Sequence, residues 1–152
     1  MLCSFTPFLL ESYLDRIKLY SSPIFQDLLH NEEAELAKKM RHLYDTLINE
    51  EDPERDIIGP FMTKPCKKTY PQYYNVVKNP IDMETINKRI KTKFYKTLEE
   101  FSADVNLMFD NCKLYNNPKS VLYKDACNLQ EIFMKVRNRI YFIFSESLSK
   151  LF

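Results

Sequence analysis

Apolar side chains recur at helical spacing in the first half of the chain. Leu36, Met40, Leu43 and Leu47 repeat every three or four residues, which puts them on one face of a helix. Asn31 precedes this stripe and is a residue type that caps helix starts, and acidic side chains follow it, where the helix dipole favours them. We therefore predict a helix from Asn31 to about residue 50.

Capping residues in the second half of the chain predict three more helices. Asp82 caps a helix that runs to about residue 93, and Thr97 opens a capping box for a helix that ends at Tyr115. Ser120 caps the last helix, which runs toward Phe144. One long and one short connection between such helices predict an all-α, up-and-down four-helix bundle.

The long connection, from Pro53 to Asp82, is rich in proline and excludes any helix of more than a turn or two. It is nevertheless rich in apolar and aromatic residues. A long ordered loop in a compact domain is usually functional, so we expect a binding site here.

The N-terminal residues 1–30 predict a helical extension of undefined role, and residues 31–148 the main domain. Thr6 and Pro7 have the form of a helix start, and one helical face follows, made of Leu9, Tyr13, Ile17 and Tyr20. The start of the chain lacks basic residues, so we expect no signal peptide and no membrane span.

Composition excludes several kinds of site. The chain has 22 basic and 21 acidic residues, a net charge of +1, and gives no overall attraction to nucleic acid or membrane. Its single glycine excludes glycine-rich phosphate loops. The four cysteines form no CxxC pair, so we expect free thiols in a reducing compartment, no metal site and no cofactor. No catalytic constellation is recognisable, and we expect a protein that is not an enzyme.

Two tracts carry a resemblance to a known family. The first is YPQYYNVVKNPIDM, which begins at Tyr70, and the second is NCKLYNNP, which begins at Asn111. Together with Gly59-Pro60-Phe61 they closely resemble the bromodomain family, and PCKKTYPQYY most resembles its polybromo type. The resemblance covers roughly residues 32–141. It implies a left-handed four-helix bundle with an acetyl-lysine pocket between the two loops at one end.

The resemblance also implies roles for particular residues. Asn116 matches the asparagine that hydrogen-bonds the acetyl carbonyl, and Tyr73 the tyrosine that contacts it through water. Phe61 matches the phenylalanine beneath the acetyl methyl group, and Leu122 the gatekeeper. The remaining pocket walls are expected from Tyr115, Met108 and Cys66.

Physical chemistry is consistent with these roles. Acetylation turns lysine into a neutral amide on an apolar stem, which suits a narrow apolar pocket with one or two fixed polar groups. An asparagine amide can donate to the ligand carbonyl and accept from its N–H. Plain lysine would lose its hydration in such a pocket without gaining a carboxylate partner.

Two positions depart from the family pattern. Gly59 stands where many members have a tryptophan shelf, which polybromo-type modules also lack. Lys64 stands where an apolar residue is common, so we expect a charge at the pocket rim and a mouth that is wider or more basic.

We expect the domain to be monomeric and to bind acetylated histone peptides in the nucleus, in contact with other subunits of a chromatin complex. Two alternatives remain open. The first is a degenerate bromodomain that acts as a scaffold without acetyl-lysine selectivity. The second is contact with nucleic acid, expected to be weak or absent, through two clusters of basic residues: Lys64, Lys67 and Lys68, and Lys88, Arg89, Lys91 and Lys93.

Overall fold

The computed structural model describes residues 21–149, except the side chains of residues 143–149. Six helices lie in this part of the chain: α1 (Pro23–Ile48), α2 (Gly59–Met62), α3 (Pro71–Val76), α4 (Met83–Lys91), α5 (Leu98–Tyr115) and α6 (Val121–Ser149). No strand occurs among the described residues, where the β-type pairing is a single bridge between Asp52 and Arg55. The prediction of an all-helical bundle is confirmed.

The start of the first bundle helix was predicted wrongly. Asn31 does not cap it but lies inside α1, which begins eight residues earlier at Pro23. Ser22 caps the start of α1 instead, since its hydroxyl accepts a hydrogen bond from the backbone N–H of Phe25 at 3.2 Å. Proline is tolerated at the first helical position, and no glycine or proline follows to stop the helix before Asn31. The helix predicted for residues 7–20 lies outside the described residues.

The other predicted helix starts agree with the structure. Asp82 accepts from the N–H of Thr85 at 2.8 Å, and Ser120 accepts from that of Tyr123 at 3.2 Å. Thr97 accepts from the N–H of Glu100, whose own carboxylate accepts from Lys96 N–H rather than from Thr97. The capping box therefore closes one residue earlier than the usual form.

The chain divides into two compact units, Met1–Leu36 and Ala37–Phe152. The second contains a core in which α1, α4, α5 and α6 each bury an apolar face. The largest fully buried side chains are Phe101, Phe109, Phe133, Leu43, Leu47, Met83, Ile86, Leu129, Val77 and Val105. Val77 belongs to the long loop, here defined as residues 49–82, so this loop contributes to the core.

Polar contacts fasten the long loop to the bundle. Arg55 makes two hydrogen bonds, of 2.5 and 2.6 Å, to the carboxylate of Asp125 on α6. The buried Asn111 on α5 donates to the backbone carbonyl of Asn79 at 2.8 Å. Within the loop, the hydroxyl of Tyr74 donates to the carbonyl of Pro65 at 2.6 Å. These contacts hold the loop against one end of α5 and α6, where the candidate site lies.

Replacing Arg55 with alanine is expected to destabilise the domain. Asp125 is only 4% exposed, so the change leaves a buried carboxylate without its counter-ion. Lys135→Ala is the matched control, because Lys135 and Glu131 form an ion pair that is mostly exposed and contributes little. Urea unfolding should show a clearly larger decrease in the free energy of unfolding for Arg55→Ala than for Lys135→Ala. Equal decreases in the two variants would contradict the proposed importance of the contact between Arg55 and Asp125.

The described residues contain no helix that is both long and apolar enough to cross a membrane. Within the same part of the chain, no group of three or more His, Cys, Asp or Glu side chains is arranged to hold a metal ion.

Candidate functional site

A cavity of about 430 Å³ opens between the long loop and the short loop, here defined as residues 116–120, together with the ends of α5 and α6. All seven residues predicted for the pocket line it: Phe61, Cys66, Tyr73, Met108, Tyr115, Asn116 and Leu122. These residues are up to 61 positions apart in the chain, and the fold brings them together. Their part in ligand binding stays a prediction.

Asn116 lies at the C-terminal end of α5 and faces this cavity. Its backbone N–H and its side-chain Nδ2 both donate to the carbonyl of Cys112, at 3.0 and 2.8 Å. Two bonds to one carbonyl fix the amide in place. Nδ2 also donates to the sulfur of Cys112, a weak acceptor, at 3.5 Å. Oδ1 accepts no hydrogen bond from any described residue, so Asn116 is both a helix-capping residue and a residue with a free acceptor at the cavity.

Aromatic rings form the walls beside Asn116. Tyr73 is 7% exposed and packs edge-to-face against Tyr74 and Tyr115, with 5.2 Å between ring centroids in both pairs. Phe61 is 5% exposed and packs in the same manner against Phe109, at 5.4 Å. Such edge-to-face pairs add to the stability gained by burial. The walls are therefore fixed by the core behind them.

Two titratable groups of the cavity are neutral in the physiological range. Burial raises the pKa of the Tyr73 hydroxyl to about 12. Burial likewise raises the pKa of the Cys112 thiol to about 11. The Cys112 thiol also donates to the carbonyl of Leu122, at 3.6 Å, and so links α5 to the start of α6.

Cys66 differs from Cys112 because it is exposed. Hydrogen bonds from the backbone of Thr69 and Lys68 lower the pKa of its thiol. Cys66 therefore supplies the more acidic thiol of the two, on the long-loop side of the cavity.

Lys64 lines the cavity, but its charge is paired. Its ammonium lies 3.6 Å from the carboxylate of Asp82 and donates to the Thr85 hydroxyl at 3.2 Å. The backbone N–H of Lys64 also donates to Asp82, at 2.9 Å. Burial tends to raise the pKa of the Asp82 carboxyl, but the hydrogen bonds from Thr85 and Lys64 outweigh burial and lower it. The charge expected at the rim is therefore neutralised by Asp82.

Gly59 does not line the cavity, and its lack of a side chain has a local cause. The carboxylate of Asp56 folds over it and accepts its N–H at 2.7 Å. A Cβ at this position would lie 2.0 Å from Oδ2 of Asp56. A larger residue would therefore displace Asp56, whose bond fixes the start of α2.

Lys64, which was expected at the rim, lines the cavity. The cavity also contains residues that the sequence did not identify as lining: Pro60, Thr63, Pro65, Tyr70, Ile81, Asp82 and Cys112. Asp82 was predicted as a helix cap, and in the structure it both caps α4 and lines the cavity. Only the packing of the long loop on α5 could identify this second role.

Comparisons with known proteins identify the family of this chain. The bromodomain family model matches residues 40–128, more than half of the chain. This range contains both loops and every residue that lines the cavity.

Several curated relatives are similar over part of their length. The chromatin structure-remodeling complex subunit rsc4 of Schizosaccharomyces pombe is 39% identical over 101 residues, which cover 66% of this chain and 19% of that protein. The transcription regulatory protein SNF2 of Saccharomyces cerevisiae is 36% identical over 101 residues, 66% of this chain and 6% of the relative. The histone acetyltransferase GCN5 of Oryza sativa is 41% identical over 75 residues, 49% of this chain and 15% of the relative. This chain therefore spans less than a fifth of each of these proteins. From the family match and the helical bundle, we conclude that the chain belongs to the bromodomain family, whose domains are binding modules.

Proposed function

We propose that this bromodomain binds acetylated lysine in histone tails and thereby recruits its parent protein to chromatin. The observation that carries the proposal is the position of Asn116. Its amide is fixed by Cys112, its Oδ1 is free to accept, and its Nδ2 makes a long contact of 3.5 Å to the Cys112 sulfur, a weak acceptor that a ligand carbonyl could replace. Asn116 lines the cavity together with Phe61 and Tyr73. An acetylated side chain offers the matching carbonyl oxygen and N–H at the end of an apolar stem.

The charge state of the cavity supports selection of acetylated over plain lysine. Asp82 is the one carboxylate among the lining residues, and its oxygens already accept from Thr85 and Lys64. Tyr73 and Cys112 are neutral, with pKa values of about 12 and 11. A lysine ammonium that entered would lose water and find no free counter-ion, which is strongly unfavourable.

The affinity for a single acetyl-lysine should be weak, roughly micromolar to millimolar, because few ligand atoms are buried. The names of the relatives support the cellular part of the proposal. They include chromatin structure-remodeling complex subunits and a transcription regulatory protein. We infer that the parent protein is nuclear and that other chromatin-complex subunits are its partners, with this domain acting as a monomeric module.

A panel of histone-tail peptides in acetylated and unmodified forms tests the proposal directly. Isothermal titration calorimetry with the whole chain should detect binding only to acetylated peptides. Equal binding of both forms, or no binding of either, would favour a degenerate bromodomain that serves as a scaffold. A propionylated or butyrylated lysine gives a further check, because a cavity closed beneath the methyl group by Phe61 should accept bulkier acyl groups less well.

A further inference from the structure

The cavity-lining segments of the two loops, residues 59–81 and 116–123, carry lysines and no Asp or Glu. We propose that this domain selects acetyl-lysine whose neighbouring residues are acidic or neutral over acetyl-lysine flanked by lysine or arginine. This inference rests on the proposed acetyl-lysine binding and adds the class of ligand that the site prefers.

The charge of these two segments is one-sided. Residues 59–81 contain four lysines and no Asp or Glu, and residues 116–123 contain one lysine and no Asp or Glu. The residues that line the cavity are interleaved with these lysines: Cys66 precedes Lys67 and Lys68, and Lys119 lies between Asn116 and Leu122. Positive charge therefore borders the cavity from both loops.

The structure separates the lysines whose charge is neutralised from those whose charge is not. Lys64 is paired with Asp82. Lys67 is exposed and lies over the ring of Tyr74, 5.1 Å from its centroid, an interaction that leaves its charge uncompensated. Lys68 and Lys119 are exposed as well, and among the described residues neither of them forms an ion pair. Three ammonium groups in the cavity-lining segments thus have no counter-ion among the described residues, while Lys78 donates to the carbonyl of Asn75 at 2.7 Å.

The acidic residues of the long loop precede the cavity-lining segment. They lie at positions 50–56, whereas the first lining residue is Pro60. Two of their carboxylates are engaged within the loop: Asp52 accepts from the N–H of Glu54, and Asp56 accepts from that of Gly59. Arg55 lies among them and pairs with Asp125 and Asp52. The carboxylates of Glu50, Glu51 and Glu54 also belong to this earlier segment, which contributes no residue to the lining of the cavity.

A bound peptide would bring its own flanking residues to these lysines. An extended chain advances about 3.3 Å per residue, so the two or three residues on each side of an inserted acetyl-lysine stay within about 10 Å of the mouth. Over that distance, unscreened opposite charges attract and like charges repel at moderate salt. Acidic flanks should therefore strengthen binding and basic flanks weaken it.

Three acetylated peptides that differ only in four flanking residues test the inference. The flanks are Glu, Ala or Lys, and each peptide is also made with unmodified lysine. Titration with the whole chain at low salt should rank the acetylated peptides Glu, Ala, Lys in falling affinity, with roughly a tenfold range from first to last. The ratio of the affinities for the Glu-flanked and Lys-flanked peptides should fall toward one in about 1 M salt, where charges are screened within about 3 Å.

Charge reversal assigns the effect to the proposed residues. The double variant Lys67→Glu, Lys68→Glu should reverse the ranking while the Ala-flanked peptide still binds. Lys91→Glu is the matched control: Lys91 is exposed at the far end of α4, which is nine residues or about 13 Å long, so the ranking should not change.

Each outcome has a definite meaning. Equal affinity for the three acetylated peptides overturns the charge preference and leaves acetyl-lysine recognition intact. Absence of acetyl-dependent binding with every flank overturns both proposals. The same ranking in unmodified peptides, or displacement of the Glu-flanked peptide by duplex DNA, would assign the lysines to a general anion-binding surface and would also overturn the inference.

Discussion

Asn116→Ala is expected to abolish binding of acetylated peptides while the domain remains folded. The change removes an amide that lines the cavity, with its free Oδ1 and with an Nδ2 that bonds only the carbonyl and the sulfur of Cys112, and it leaves the acetyl carbonyl without its fixed donor. An unsatisfied buried polar group costs about 1–3 kcal/mol, so the lost hydrogen bonds together should weaken binding by at least roughly thirtyfold. Calorimetric titration measures the loss, and circular dichroism verifies the fold.

The neighbouring Asn117 provides a matched control. It is exposed, it does not line the cavity, and its side-chain oxygen Oδ1 accepts from the N–H of Lys119 in the same short loop. Asn117→Ala should therefore disturb the loop slightly and keep acetyl-lysine binding within a few-fold of the original. Unchanged binding by Asn116→Ala would contradict the assignment of the anchor, and equal losses in both variants would indicate that only the loop conformation matters.

Asp82→Ala is expected to reduce both stability and binding. The Asp82 carboxylate caps α4 through the N–H of Thr85 and holds the long loop through the N–H of Lys64. Loss of a helix cap costs about 1 kcal/mol, and the freed Lys64 N–H adds to it, so unfolding should become easier by about 2 kcal/mol. The Lys64 ammonium also loses its partner and becomes a free charge at the cavity, which should lower affinity.

Thr97→Ala separates the two effects of Asp82. Thr97 caps α5 by accepting from Glu100 N–H, but it does not line the cavity. We expect this variant to lose about 1 kcal/mol of stability without a change in peptide affinity. If Asp82→Ala and Thr97→Ala behave alike in both measurements, the proposed link from Asp82 to the cavity is wrong.

The contribution of the Asp82 carboxylate to the stability of the fold should also depend on pH. Its pKa in the folded protein is lowered below the ordinary value of 3.8, so the folded state binds the proton less well than the unfolded state. The stabilisation is then fully present above that value and is lost as the pH falls through the lowered pKa. The stability difference between the original chain and Asp82→Ala, measured by urea unfolding from pH 6 downward, should shrink only below about pH 4. A difference that already shrinks between pH 6 and pH 5 would contradict this origin.

Local sequence was sufficient for most helix boundaries. Asp82, Thr97 and Ser120 are short polar residues followed by apolar repeats, and each accepts a backbone N–H at the start of its helix. The first bundle helix was the exception, because Asn31 could cap a helix but also tolerates its interior, and nothing local forbids the extension back to Pro23. A capping residue is therefore evidence for a start only where a helix cannot extend past it.

The candidate pocket residues were accessible from sequence in part. The aromatic, proline-broken loop indicated a binding site, and the resemblance to bromodomains indicated which side chains to expect there. The sequence could not assign the state of the rim. Whether Lys64 is a free charge depends on Asp82, 18 positions away, and whether Asp82 can accept from it depends on how the long loop folds.

The sequence alone thus determined most of the helices and the proline-broken loop between them, because caps, apolar spacing and prolines act within a few residues. Its resemblance to bromodomains added Asn116 as the candidate anchor. The tertiary structure decided which charges remain free at the cavity and how the long loop is held. Those outcomes depend on contacts between distant positions, such as Arg55 with Asp125 and Asn111 with Asn79. Pairing of this kind follows from the packing of the loop onto α5 and α6, which no local pattern specifies.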